Sequence, residues 1–189
     1  MKPAKALERL LEGNRRFVEQ GMDEQEYQEQ VNQTAGGQYP FAAVLGCIDS
    51  RVPSELVFDQ GIGDIFNARV AGNVVNEDIL GSLEYACKVA GSKLILVLGH
   101  TSCGAVGAAV NQVELGNITA LLSKIKPALP GTGDASMEVD EVAKRNVHLS
   151  IRRIREESKI LAEMESKGEI LIKGAMYDVS SGKVSLLDQ

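Results

Sequence analysis

Twice the chain runs from an unbroken apolar segment, through a glycine, into a cluster of reactive side chains. Phe41-Ala42-Ala43-Val44-Leu45-Gly46 leads into Cys47-Ile48-Asp49-Ser50-Arg51, and Leu94-Ile95-Leu96-Val97-Leu98-Gly99 leads into His100-Thr101-Ser102-Cys103. Short apolar runs that do not alternate, closed by glycine, read as strands buried on both faces, the pattern of a parallel sheet. In open α/β sheets, chemistry gathers beyond the carboxyl ends of such strands. The sequence therefore predicts an α/β fold in which two thiols, an imidazole, a carboxylate and a guanidinium meet at one end of the sheet.

The rest of the chain fits that architecture. Leu7, Leu10, Leu11, Phe17 and Val18 fall at helical spacing among charged residues, giving an amphipathic N-terminal helix that ends near Gly21. A Gln-rich stretch to about Gln38 reads as loop or weak helix. Strands are predicted over 41–46, 64–70, 94–98, 169–173, 175–179 and 184–187, the last after a turn at Ser180-Ser181-Gly182-Lys183. Helices are predicted from Pro53 through Phe58, over 77–90 with Gly91 as terminator, from Gly104 onward, and as one long element over 139–164, with a surface loop near 127–133. Strands alternating with helices imply a mostly parallel central sheet flanked by helices. With 189 residues the chain is one domain, a helical arm over 1–37 and an α/β core over 38–189. The arm precedes the first strand and is expected to pack on a partner subunit instead of its own sheet.

A formal charge of −6 and the lack of a basic run argue against nucleic acid as a partner. No apolar stretch is long enough to span a membrane, and Met1-Lys2-Pro3-Ala4-Lys5 leads straight into a charged helical pattern, so a cytoplasmic protein is expected. Three cysteines in a reducing compartment point to metal binding or reactive thiols before a disulfide framework.

Zinc favours thiolate and imidazole in tetrahedral geometry. His100 and Cys103 leave one tight turn, and Cys103 precedes a small-residue helix whose N-terminus favours the thiolate. Cys47 joins them if the two apolar strands are neighbours. Three protein ligands with one exchangeable position define a catalytic zinc site. Asp49, two residues past Cys47, is the candidate for that fourth position in a closed state. Arg51 is placed to pair with it bidentately and so release the position to water. Cys87 shares an apolar helix face with Leu80 and Leu83 and reads as core rather than as a ligand. Gly61-Ile62-Gly63 precedes its strand and lacks the third glycine of a dinucleotide fingerprint. His148 reads as a surface residue of the long helix.

With these residues in place the chain resembles a β-class carbonic anhydrase. The likeness rests on Cys47-Ile48-Asp49-Ser50-Arg51, Arg69-Val70-Ala71-Gly72-Asn73, Gly81-Ser82-Leu83-Glu84-Tyr85 and Gly99-His100-Thr101-Ser102-Cys103-Gly104. It extends from Leu10-Leu11-Glu12-Gly13-Asn14-Arg15-Arg16-Phe17 to Gly174-Ala175-Met176-Tyr177-Asp178-Val179. The resemblance implies one zinc ion per subunit on Cys47, His100 and Cys103, with Asp49 and Arg51 as a gating pair. It implies Gln38 as a hydrogen-bond donor to substrate, and Phe66, Val70, Tyr85 and Gly104 as pocket positions. Some of these walls come from a neighbouring subunit in the family, which implies a homodimer or a dimer of dimers. Val44 stands where a regulated subgroup carries tryptophan, so no second bicarbonate site is expected.

The implied reaction is reversible hydration of carbon dioxide to bicarbonate and a proton, through hydroxide on zinc. Three rivals share parts of the pattern: a carbonyl sulfide or carbon disulfide hydrolase on the same scaffold, a thiol redox switch joining Cys47 to Cys103, and a non-catalytic zinc module. The last has no use for an Asp49–Arg51 gate.

Overall fold

The computed structural model describes residues 1–130 and 138–188. Its centre is a five-stranded sheet of β1 (Ala42–Gly46), β2 (Ile65–Arg69), β3 (Leu94–His100), β4 (Leu171–Tyr177) and β5 (Val184–Leu186), in the order β2-β1-β3-β4-β5. The first four strands are parallel, and β5 returns antiparallel along β4. All residues of β1 and β3 are buried, as their unbroken apolar composition requires for strands covered on both faces.

Alternation along these strands feeds two separate cores. Ala43, Leu45, Ile95 and Val97 face one layer, built mainly of α4 (Glu77–Glu84), α5 (Gly104–Val110), α6 (Gly116–Ser123), α7 (Val139–Glu157) and α8 (Lys159–Ser166). Ala42, Val44, Leu94, Leu96 and Leu98 face the other, covered by α1 (Pro3–Val18) and α3 (Ser54–Val57). The remaining helix, α2 (Tyr27–Thr34), buries none of its residues.

The N-terminal helix corrects one expectation: it packs on its own sheet. Ala6 and Leu10 are fully buried in the second core, beside Phe41, Phe58 and Leu96. The reason is coverage, since the single turn of helix at α3 cannot shield that face of the sheet alone. Buried Asn14 fastens the arrangement, donating to the carbonyls of Val57 (3.0 Å) and Gly182 (2.9 Å) and accepting from the amide of Val184 (2.8 Å). Arg9 reaches the Asp64 carboxylate at 2.8 Å while lying 4.3 Å from the centre of the Phe41 ring.

Other boundaries also differ from expectation. The long helix over 139–164 is two helices, broken at Ser158. Its backbone is extended (φ −113°, ψ 100°), and its hydroxyl caps α8 by accepting from the amide of Leu161. The strands predicted over 169–173 and 175–179 are one strand, with Gly174 in its middle. A Cβ there would stand 2.7 Å from the Val147 side chain, so the glycine marks the close approach of α7 rather than a break. The helix over 77–90 is α-helical to Glu84 and widens into a π turn over Tyr85–Val89. The Gln-rich stretch contains α2, and α6 was not anticipated. Of the loop near 127–133, Pro127 and Ala128 lie in a 3₁₀ turn, and 131–133 lie outside the described residues. Among the described residues no helix is long and apolar enough to cross a membrane.

Candidate metal centre

Strand register brings the three predicted ligands together. In the β1–β3 pairing Gly46 faces Leu98, so Cys47 leaves the sheet level with Gly99, one residue before His100. Cys103 is the residue that caps α5. One ligand atom from each of Cys47, His100 and Cys103 lies within 4.8 Å of the others, and all three residues are buried. Tetrahedral zinc with Zn–S bonds of about 2.3 Å holds two sulfurs about 3.8 Å apart, within that span.

The donor set passes a stricter test. Nδ1 of His100 lies 2.9 Å from the carbonyl oxygen of Thr101. A carbonyl only accepts, so Nδ1 carries the proton and Nε2 presents its lone pair. That Nε2 is buried and has no hydrogen-bond partner. A buried acceptor left unpaired is costly, and here it points toward two sulfurs. A soft divalent cation satisfies all three at once.

The electrostatics agree. The nearness of Cys103 and His100 and the amide of Gly72 (3.3 Å from Sγ) outweigh burial, so the Cys47 thiol is held far below its ordinary pKa. The same nearness, with burial, pushes Cys103 up. A divalent cation bound between the two sulfurs would displace thiol protons. Burial opposes charge on His100, but the neighbouring Cys47 outweighs it and raises the imidazole pKa.

Asp49 and Arg51 sit as expected. Arg51 donates from Nε to Oδ1 (2.9 Å) and from Nη2 to Oδ2 (2.8 Å), and its backbone amide also bonds Oδ1 (3.0 Å). These hydrogen bonds hold the Asp49 carboxyl well below the usual carboxylate range. Its Oδ2 lies 3.8 Å from Nε2 of His100, beside the ligand cluster. Cys87 is buried in the core and does not belong to the group of clustered ligand atoms, its thiol pushed up to about 12 by burial.

Several supports carried no sequence signal of their own. Arg69 donates to the carbonyls of Cys47 (2.9 Å) and Asp49 (2.7 Å), fixing the turn that carries both side chains. Gly72 holds φ +68° in a cradle where a Cβ would stand 2.7 Å from Ile125, and this exposes its amide to Cys47. Asn146 of α7 donates to the Gly72 carbonyl at 2.7 Å. Asp140, in the first turn of α7, accepts from the amide of Ser102 at 2.7 Å. The quoted motif Arg69-Val70-Ala71-Gly72-Asn73 contained two of these residues without revealing their work.

The expected pocket residues divide into two groups. Val70 follows β2 level with Cys47, and Gly104 begins α5 directly after Cys103, so both lie at this site. Phe66 pairs with Ala43, four residues before Cys47, or about 13 Å at roughly 3.3 Å per residue. Tyr85 packs edge-on against Phe66 with ring centroids 6.2 Å apart. Gln38 is exposed and precedes β1. These three belong to the opposite end of the sheet from the chain's own ligands. Phe66 and Tyr85 line an open cleft of about 630 Å³ along the edge strand β2.

A parallel sheet with Cys, His and Cys converging at its carboxyl edge, and a clamped carboxylate beside them, defines an α/β protein with a candidate metal centre. Comparison with known proteins agrees. The Carbonic anhydrase family profile matches residues 42–184. "Carbonic anhydrase 2" of Mycobacterium tuberculosis is 38% identical over 195 residues, covering 98% of this chain and 93% of that protein. The carbonic anhydrase of Mycolicibacterium smegmatis is 36% identical, covering 97% and 93%. The β-carbonic anhydrase CafA of Aspergillus fumigatus superposes with a TM-score of 0.77 at 28% identity, covering 86% of this chain and 82% of its own. The chain belongs to the β-carbonic anhydrase family.

Proposed function

We propose that each subunit holds one zinc ion on Cys47, His100 and Cys103 and catalyses the reversible hydration of carbon dioxide to bicarbonate and a proton. The observation that carries this reading is the buried, unpaired Nε2 of His100 converging with two thiols, next to a carboxylate already clamped by arginine. Zinc so held supplies a strongly acidified water and a Lewis-acidic centre. The protein supplies the rest.

Asp49, kept ionised by Arg51, has lone pairs left to accept a hydrogen bond from the attacking oxygen and aim it at carbon dioxide. Arg51 would act as the gate: while it holds both carboxylate oxygens it keeps Asp49 from the metal that Cys47, His100 and Cys103 would hold, and on release Asp49 would be free to compete with water there. Val70 and Gly104 keep the near wall small and apolar, suited to a small apolar substrate. Gln38 donates to the oxygen on which charge develops.

Gln38, Phe66 and Tyr85 reach a metal centre from a second copy, making the working unit a homodimer, alone or as a dimer of dimers. Three features support this. The three residues lie far from their own ligands, β2 is an edge strand, and both amide atoms of Asn67 on that strand are buried without a partner. Thiolate ligands and three free cysteines suit a reducing, cytoplasmic setting.

Stopped-flow carbon dioxide hydration with zinc analysis on the same sample tests the proposal. The expected result is one zinc per chain and activity lost when the metal is removed. Assays with carbonyl sulfide and carbon disulfide run alongside, and preference for either would replace the substrate named here.

A further inference from the structure

The turn that carries His100 and Cys103 is held in an uncommon shape. Ser102, between them, has φ +54°, the left-handed region that favours glycine. Its N-terminal flank is tied through Thr101, whose amide donates to Tyr177 O (2.9 Å) and whose Oγ1 accepts from the Val179 amide (3.0 Å), and its C-terminal flank through the Cys103 carbonyl, which accepts from the Gly107 amide (2.9 Å). Ser102 itself is fixed at both ends of its backbone by charged side chains. Its amide donates to Asp140 Oδ1 at 2.7 Å, and its carbonyl accepts from Arg51 Nη2 at 3.3 Å. Asp140 thus begins a chain of contacts that runs through the Ser102 backbone to Arg51 and ends on Asp49.

We propose that Asp140 is a positioning residue for the metal centre, holding Ser102 in its left-handed conformation so that His100 and Cys103 stay in coordinating geometry and the Ser102 carbonyl stays within reach of Arg51. The inference rests on the zinc reading above. Asp140 touches no ligand atom, and its effect passes through one backbone amide. Groups that orient ligands from outside the coordination sphere commonly change metal affinity by about 10- to 100-fold. The acceptor oxygen is the essential part, because a neutral oxygen still accepts from the amide N–H, although an ionised one does so more strongly.

That distinction makes the test specific. Zinc-loaded protein is mixed with the chromogenic chelator 4-(2-pyridylazo)resorcinol and the rate of zinc release is followed, with circular dichroism as the check on folding. Asp140→Ala should release zinc about tenfold faster or more. Asp140→Asn, which keeps an oxygen acceptor at the same reach, should stay within about threefold of the parent. If Asp140 merely stabilised α7 through its charge, Asn and Ala would behave alike, and that result overturns the proposal. In a Ser102→Gly background the left-handed backbone needs no external hold, so the Asp140→Ala effect should shrink. An undiminished effect there also counts against it. Should Asp140→Ala fail to fold, Asp140→Gln moves the acceptor by one methylene and takes its place, with faster release expected and parent-like release contradicting the idea. A parent protein that holds no stoichiometric zinc overturns the metal reading and this inference together. A parent that holds zinc, with a variant that holds it equally well, overturns this inference alone.

Discussion

Arg51 grips Asp49 through two parallel hydrogen bonds, Nε to Oδ1 and Nη2 to Oδ2, at 2.9 and 2.8 Å, while Oδ2 remains 3.8 Å from the imidazole Nε2 of His100. One carboxylate therefore stands between a guanidinium and the coordination cluster. Removing the guanidinium frees the carboxylate to swing to the metal. Arg51→Ala should lower kcat for carbon dioxide hydration by about 10²-fold or more, the scale of a misplaced acid–base group. Zinc content should remain one per chain. Normal turnover in this variant refutes the gate.

The Asp49 carboxyl is held below its ordinary pKa, chiefly by the Arg51 hydrogen bonds. A depressed carboxylate contributes stability above its unfolded pKa, and that contribution is lost as pH falls through the lower folded value. Asp49 therefore stays ionised in mildly acidic solution and gives the activity profile no acid limb there. With two anionic sulfur ligands weakening the ion's acidity, hydration should instead climb as pH rises above neutral. A pH–rate profile that is flat through pH 7 to 9, or that falls with Asp49 titration near pH 5, contradicts this.

If Gln38 serves the partner's metal centre, two defective subunits can repair each other. In a mixed dimer of Cys47→Ala and Gln38→Ala chains, one site keeps its own ligands and receives an intact Gln38, while the other has lost both. Statistical mixing should recover about a quarter of parental activity, since half the dimers are mixed and each has one good site of two. No recovery means that Gln38 serves its own chain or none.

Asn146 is 1% exposed and donates to the Gly72 carbonyl at 2.7 Å. Asn146→Ala leaves that carbonyl without this donor, and urea unfolding should show a loss of about 1–3 kcal/mol. The Gly72 amide, which reaches Cys47, should become more mobile, and its hydrogen exchange should quicken.

Burial pushes the Cys87 thiol up to about 12, so at pH 8 it is almost wholly protonated inside the core. Iodoacetamide should leave Cys87 unmodified in the folded protein, and Cys87→Ala should keep full zinc content. Rapid alkylation, or loss of zinc in the variant, would move Cys87 from the core into the site.

The ligands were legible because the chain delivers each at the end of an apolar run, where strand register does the positioning. Asp49 and Arg51 were legible because a pair two residues apart needs no tertiary information to meet. The braces were not. Arg69 acts over 22 residues on Cys47, Gly72 over 25 on Cys47, Asp140 over 38 on Ser102 and Asn146 over 74 on Gly72, and no local pattern announces contacts of that range. The helix break at Ser158 was hidden by an apolar stripe that continues to Leu161. Gly174 misled in the opposite direction: read as punctuation, it is a seat for Val147 on α7. The arm was misplaced because its amphipathic pattern shows that one face is covered without saying which surface covers it.

X-ray absorption at the zinc edge of the purified protein reads the coordination shell itself. One zinc per chain is expected, with two sulfur neighbours at about 2.3 Å and the remaining neighbours nitrogen or oxygen at about 2.0–2.1 Å, with an imidazole scattering pattern. Three or four sulfurs around the ion, or a protein that retains no zinc after dialysis, would contradict that expectation.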